Sequence, residues 1–151
     1  MKFTLPVKLM SVSVLVLAGV IGCATPTQQV AEKPAAAPSA AVTQALNDAS
    51  ASIKTAKSLD WIWRDTEKMY TEAEEAAKAG DEAKALKLAK EAKYQADEAV
   101  NQYYIEKAKP MLNALQSKRK LSAEEKSKAA AAAAALTKAQ GKQAYDILSK
   151  S

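Results

Sequence analysis

Three observations on this sequence predict an all-α protein. The 129 residues from Cys23 onward hold 33 alanines against 25 large apolar or aromatic side chains, and alanine is the best helix former. From Val42, apolar residues recur three or four apart, which places them on one face of a helix. Between two such runs stands Gly80-Asp81, a left-handed helix terminus followed by an N-cap, so the chain turns back on itself. The expected architecture is an antiparallel helical hairpin or small bundle, with an extended Ala-rich C-terminal helix and a disordered N-terminal tether. So few large side chains exclude a broad core and leave close-packed alanine seams to hold the helices together. Four segments follow: a signal at 1–22, a lipidated Cys and Pro/Ala-rich tether at 23–41, a helical hairpin domain at 42–108 and a basic Ala-rich extension at 110–151.

Lys2 and Lys8 precede an uncharged run from Leu9 to Gly22, too short for a comfortable membrane span but suited to a signal-peptide apolar region. It ends in Val20-Ile21-Gly22-Cys23, which resembles the lipobox of bacterial lipoproteins. That resemblance implies cleavage before Cys23 and acylation of its thiol. Each buried methylene contributes about 0.8 kcal/mol, so two or three acyl chains hold a protein firmly on a bilayer. Ala24, where lipoproteins retained at the inner membrane commonly carry Asp, favours the outer membrane. The expected location is the periplasmic face of a bacterial membrane. Pro26, Pro34 and Pro38 sit among Ala, Thr, Gln and Ser in a stretch too poor in large apolar residues to pack. In a polyproline-like state at roughly 3 Å per residue, it spans about 50 Å.

Leu46, Ala49, Ile53 and Ala56 form the apolar stripe of the first helix. Ser58 and Asp60 are good N-cap residues, so the chain either breaks near Leu59, the favoured reading, or runs straight on. Ile62, Thr66, Met69, Ala73 and Ala76 carry the stripe to Gly80. The next helix, about 82–107, presents Ala85, Ala89, Ala92, Ala96, Ala99 and Tyr103, a seam narrow enough for Met69, Ala73 and Ala76 to nest against. Lys109-Pro110 is expected to end or kink it, because proline lacks the donor and the residue before it avoids helical geometry. Met111, Leu112 and Leu115 then make a short amphipathic piece. Ser122 and Glu125 match a capping box that starts a last helix containing seven alanines, 129 to 135. That run reads as low-complexity helix with little tertiary burden or, alternatively, as a slim docking surface; Gly141 is expected to weaken the helix before Tyr145, Ile147 and Leu148.

Composition also narrows chemistry. The chain has no His, and its single Cys lies at the cleavage point, so a soft-metal site, a disulfide and a thiol nucleophile are excluded. Only Gly80 and Gly141 follow the signal, too few for a phosphate-cradling loop. An enzyme here has carboxylates, Lys and Tyr alone, and no carboxylate pair stands out by spacing; no activity, metal or cofactor is expected. Charge is lopsided: residues 40–105 carry 9 basic and 12 acidic side chains, a balance of −3, whereas 106–151 carry 10 and 4, a balance of +6. Lys118-Arg119-Lys120 is the densest basic point, a patch for anionic lipid, cell-wall acids or an acidic protein, or else simply a solvated helix end. An exported protein meets little nucleic acid, so none is expected as partner.

Both tryptophans lie in Leu59-Asp60-Trp61-Ile62-Trp63-Arg64-Asp65-Thr66-Glu67-Lys68. On a helix, positions two apart differ by about 200°, so one of Trp61 and Trp63 sits off the core. Trp61, grouped with Arg64, either contacts a partner or packs under a folded-back helix 42–57. Tyr103 and Tyr104 pose the same question. The lipobox, the Pro/Ala tether, the run Trp61 to Lys68, the Ala79 to Ala89 stretch Ala-Gly-Asp-Glu-Ala-Lys-Ala-Leu-Lys-Leu-Ala and the Gln95 to Gln102 stretch together resemble the SoxXA-binding accessory proteins of sulfur-oxidising bacteria over residues 59–107. The resemblance implies a non-enzymatic protein that binds the haem-containing SoxXA cytochrome and promotes thiosulfate oxidation without carrying haem itself. Trp61, Trp63 and Arg64 are then the partner-binding residues. The competing reading is a structural envelope lipoprotein that contacts peptidoglycan or self-associates as a homo-oligomeric helical bundle; it accounts better for the C-terminal charge.

Overall fold

Ser39 caps the first helix by accepting a hydrogen bond from the Val42 amide, so the helix starts at Ala40, two residues before the expected start at 42. The structure, a computed structural model, describes residues 37–150; the signal, Cys23 and the 23–36 part of the tether lie outside the described residues. Within them the fold is all-α: α1 Ala40–Ser58, α2 Thr66–Lys78, α3 Glu82–Gln116, α4 Ala123–Thr137 and α5 Gly141–Ser149. The chain breaks after Ser58, on the favoured reading, but it restarts only at Thr66, so residues 59–65 form a loop rather than the first turns of a helix.

Three helices end in the same way. After α1, α2 and α4 the backbone enters the left-handed region at Asp60 (φ 54°), Gly80 (φ 79°) and Ala139 (φ 54°). In each case the next amide reaches back to a carbonyl five residues earlier, Trp61 to Ala56, Asp81 to Ala76 and Gln140 to Ala135, at 3.0, 2.9 and 2.9 Å. These are Schellman terminations, which satisfy carbonyls the helix end would otherwise leave unpaired. Only the glycine was legible beforehand; Asp60 and Ala139 adopt the same geometry against a Cβ penalty of roughly 1–2 kcal/mol.

The spine of the molecule is α3. At 1.5 Å per residue its 35 residues run about 50 Å. Its first half carries the expected seam, with Ala85, Ala89, Ala92, Ala96 and Ala99 all fully buried. Against it α2 runs antiparallel, Ala73 packing at Ala89 and Ala76 at Ala85. Helix α1 also docks there and runs parallel to α3, since Val42 meets Ala85 while Ile53 and Ala56 meet Ala92 and Ala96. The first three helices are thus up, down, up. Alanine seams let the backbones approach closely, and the larger Ile53, Met69, Tyr70 and Val100 close the sides.

Pro110 does not end the helix: α3 continues to Gln116. An interior proline removes one hydrogen bond and costs about 3 kcal/mol. What offsets it is burial on the far side, where Ala108 and Leu112, with Met111 and Leu115 beside them, pack against Ala129, Ala132, Ala135, Ala144 and Leu148. Burying one leucine alone contributes about 1.5–3 kcal/mol. The expected boundary between 42–108 and 110–151 therefore falls inside one helix. Nor is the C-terminal segment a single extended helix. It divides at Ala139–Gln140 into α4 and α5, which fold back so that α4 runs antiparallel and α5 parallel to α3. Ser122 and Glu125 form the capping box at the start of α4. The alanine run carries a tertiary burden after all: Ala129, Ala132 and Ala135 face the core.

Gly141, expected as a weak point inside a helix, is the first residue of α5 and touches α3 directly. A Cβ there would lie 2.7 Å from both the Ile105 amide nitrogen and Cγ1, and closer still to the Asn101 carbonyl oxygen. Asn101 fastens this contact from both sides, its Nδ2 donating to Ala139 O and its Oδ1 accepting from the Gly141 amide, each at 2.8 Å.

Candidate functional site

The loop of residues 59–65 is held at both ends. At its start, the Schellman bonds of Asp60 and Trp61 to Lys57 and Ala56 fix the backbone leaving α1. At its end Thr66, fully buried, donates from Oγ1 to Gln95 Oε1 of α3 at 3.1 Å, and its amide bonds Trp63 O at the same distance. Ile62 turns inward against the Ile53 cluster. Trp61 and Trp63 stay 38% and 40% exposed, and Arg64 is exposed beside them. The two indoles thus escape the helical-wheel argument, because neither lies on a helix.

Trp61 does not pack beneath α1. Its ring meets Tyr103 of α3 edge-on, at a centroid distance of 5.8 Å and 68°. Tyr103 meets Tyr104 at 5.2 Å and 81°, and Tyr104 meets Tyr145 of α5 at 5.3 Å and 51°. Edge-to-face geometry brings the positive rim of one ring to the negative face of the next. This row runs across the waist of the molecule, from the α1–α2 loop over α3 to α5. Two ammonium groups join it, Lys107 Nζ at 5.4 Å from the Tyr103 centroid and Lys142 Nζ at 5.5 Å from that of Tyr104. Lys142 also binds Asp146 Oδ2 at 2.7 Å, and this carboxylate holds its ammonium pKa above the usual lysine value. In the cluster around Ile53, burial pushes the Tyr70 phenol up.

Of the residues singled out in the sequence, Trp61, Trp63 and Arg64 share one loop, and Tyr103 and Tyr104 join Trp61. Tyr145, Lys107 and Lys142 were missed as members. The available signals were local: Lys107 lies four residues after Tyr103, and Lys142 three before Tyr145. Their convergence needed the fold-back of α5.

Lys118, Arg119 and Lys120 lie elsewhere, exposed in the α3–α4 connection at the far pole of the spine. Lys118 is not a free cation, for its Nζ lies 2.6 Å from Glu125 Oε1. That bond, reinforced by the Ser122 amide, lowers the Glu125 pKa to about 2. Beside it a cleft of about 310 Å³ has Met111, Ala114, Leu115 and Leu148 as its floor and Lys118, Glu125 and Lys128 at its rim. The waist offers ring edges, exposed indoles and cations, which suit recognition of another surface. Cys23 lies outside the described residues. No protein-family model matches the chain, nor does any curated protein or any solved structure.

Proposed function

We propose that the protein is a non-enzymatic lipoprotein, anchored through Cys23 at the periplasmic face of a bacterial membrane, that acts by binding another protein through its aromatic waist. The observation that carries this reading is the exposure of both tryptophans, 38% and 40%, on a loop fixed at each end by hydrogen bonds. Leaving that much aromatic surface in water on an ordered backbone needs a reason, and a pre-ordered indole loses little entropy when a partner covers it. Trp and Arg together form the commonest interface anchors, and Trp61, Trp63 and Arg64 provide them within four residues. The SoxXA cytochrome is the first partner to test, because the resemblance of residues 59–107 points to it; promotion of thiosulfate oxidation would follow from that contact.

The test is capture of purified SoxXA by the wild type, Trp61→Ala and Trp63→Ala, with helicity measured alongside. We expect Trp63→Ala to weaken capture at least tenfold, an interface anchor contributing about 2 kcal/mol or more, with helicity unchanged. A folded wild type that captures no SoxXA removes that partner. Loss of helicity in both variants would instead make the tryptophans part of the core. For the anchor, Cys23→Ser is expected to move the protein from the membrane to the soluble fraction.

A second reading is supported by the +6 balance of residues 106–151: a structural role in which the basic pole, with Arg119 and Lys120 exposed, contacts the acidic groups of peptidoglycan. Retention of the protein on purified cell-wall sacculi, weakened by Arg119→Glu with Lys120→Glu, separates this from the first.

A further inference from the structure

Charge along this molecule is divided and stays divided. The six ion pairs among the described residues join Lys57 to Glu67, Lys68 to Glu72, Lys93 to Asp97, Lys109 to Glu106, Lys118 to Glu125 and Lys142 to Asp146. The first three lie within residues 40–105, which balance at −3, and the last three within 106–151, which balance at +6. Pairing therefore leaves each balance where it was. The spine is about 50 Å long, so the centres of the two halves lie about half that distance apart, well beyond the screening length of about 8 Å at physiological salt. A second molecule can bring a basic half much closer to the acidic half than the same molecule does.

We infer that a second copy of this chain is the occupant of the waist: two molecules pair antiparallel about a two-fold axis near Tyr103, laying the acidic half of each along the basic half of the other. This stands without the partner-binding reading and competes with it for the same surface, so that a second protein at the waist would displace the second copy. Packed helices lie about 8–10 Å apart, so the two acidic–basic contacts act at about one screening length, whereas like-charged halves face each other only diagonally, at about half the spine. Attraction therefore prevails although each molecule is net positive. Parallel pairing would place +6 on +6. Head-to-tail growth would neutralise only the poles and leave the indoles in water. The antiparallel pair places the exposed Trp61 and Trp63 at its centre, the apolar position in an interface, with charges outward. A two-fold contact of this kind also closes on itself.

The experiment uses the intact chain as bacteria process it, purified in non-ionic detergent and followed by sedimentation at about 0.01 M and about 0.5 M salt, which span screening lengths of roughly 30 to 4 Å. A dimer that weakens at least tenfold at the higher salt is expected. Zero-length carbodiimide cross-linking is expected to join carboxylates of the acidic half, such as Glu74 or Glu75, to amines of the basic half, such as Lys120 or Lys126, which one molecule holds too far apart to link. Changing Arg119, Lys120, Lys126 and Lys150 to Glu takes the basic half from +6 to −2 and should abolish the dimer at unchanged helicity, and adding Glu74→Lys, Glu75→Lys, Glu91→Lys and Glu98→Lys, which takes the acidic half from −3 to +5, should restore it. A monomer at low salt, continued growth beyond the dimer, or cross-links joining basic half only to basic half would each overturn the proposal. None of these readouts involves a cytochrome, so failure here leaves the partner-binding reading standing and the reverse also holds.

Discussion

The two ends of α3 solve the same problem in different ways. Around its first half, α1 and α2 bury alternating alanines and medium-sized residues whose periodicity is written along each helix. Around its second half, α4 brings a run in which every residue is alanine and α5 brings nine residues, so position rather than residue type decides what is buried. The first half is held by its stripes. The second adds to its cluster around Leu112 and Leu148 one close approach, Gly141 on α3, and one clamp, Asn101, which set where α5 sits. A stripe distributes its contribution over many contacts and tolerates the loss of one; a single glycine contact does not.

Gly141→Ala should break the contrast most severely. The added Cβ meets backbone atoms of Asn101 and Ile105 that cannot move aside without shifting α3. Overpacking of this kind costs about 3 kcal/mol. Amide exchange is expected to rise across α4 and α5 while α1 and α2 keep their protection; uniform loss in all five helices would mean that the halves unfold as one. A matched pair comes next. Asn101→Ala removes two bonds to the α4–α5 turn, for a cost of about 2 kcal/mol, whereas Thr66→Val removes one bond to Gln95, for about 1 kcal/mol. Urea denaturation of both variants measures whether the clamp outweighs the stripe-supported contact.

Ala139→Gly should stabilise the protein by about 1 kcal/mol, because it relieves a left-handed alanine at the end of α4. An upward shift in melting temperature checks it. The smallest effect is a pH response confined to the second half. Glu125 has its pKa lowered in the fold from 4.5 to about 2, so its contribution is complete above 4.5 and is lost as pH falls towards 2. Exchange at the first turn of α4 should therefore accelerate between pH 4.5 and 2 in the wild type and show no such step in Glu125→Gln.

These differences explain what was legible beforehand. The α2–α3 hairpin was, because Gly80, Asp81 and the seam from Ala85 to Ala99 each signal the same geometry independently. The capping box of Ser122 and Glu125 was, because it is a local bond pattern. The end of the helix that Pro110 allowed did not follow, since a local penalty was outweighed by burial of Leu112 and its neighbours, a tertiary effect with no local mark. The split at Ala139 was hidden because alanine there occupies a conformation that glycine normally signals. At the waist, Trp61, Trp63 and Arg64 were visible as a group, yet their helical placement was wrong, for Asp60 ends α1 and the loop lasts until Thr66. The row from Trp61 through Tyr145 depends on α5 returning beside α3, which no spacing announces.

A helix that is the last member of one three-helix set and the first of another also makes the architecture open-ended. Each further pair of helices would need only a free stretch of spine or a free flank, not a redesigned centre, so molecules of this kind can lengthen by accretion.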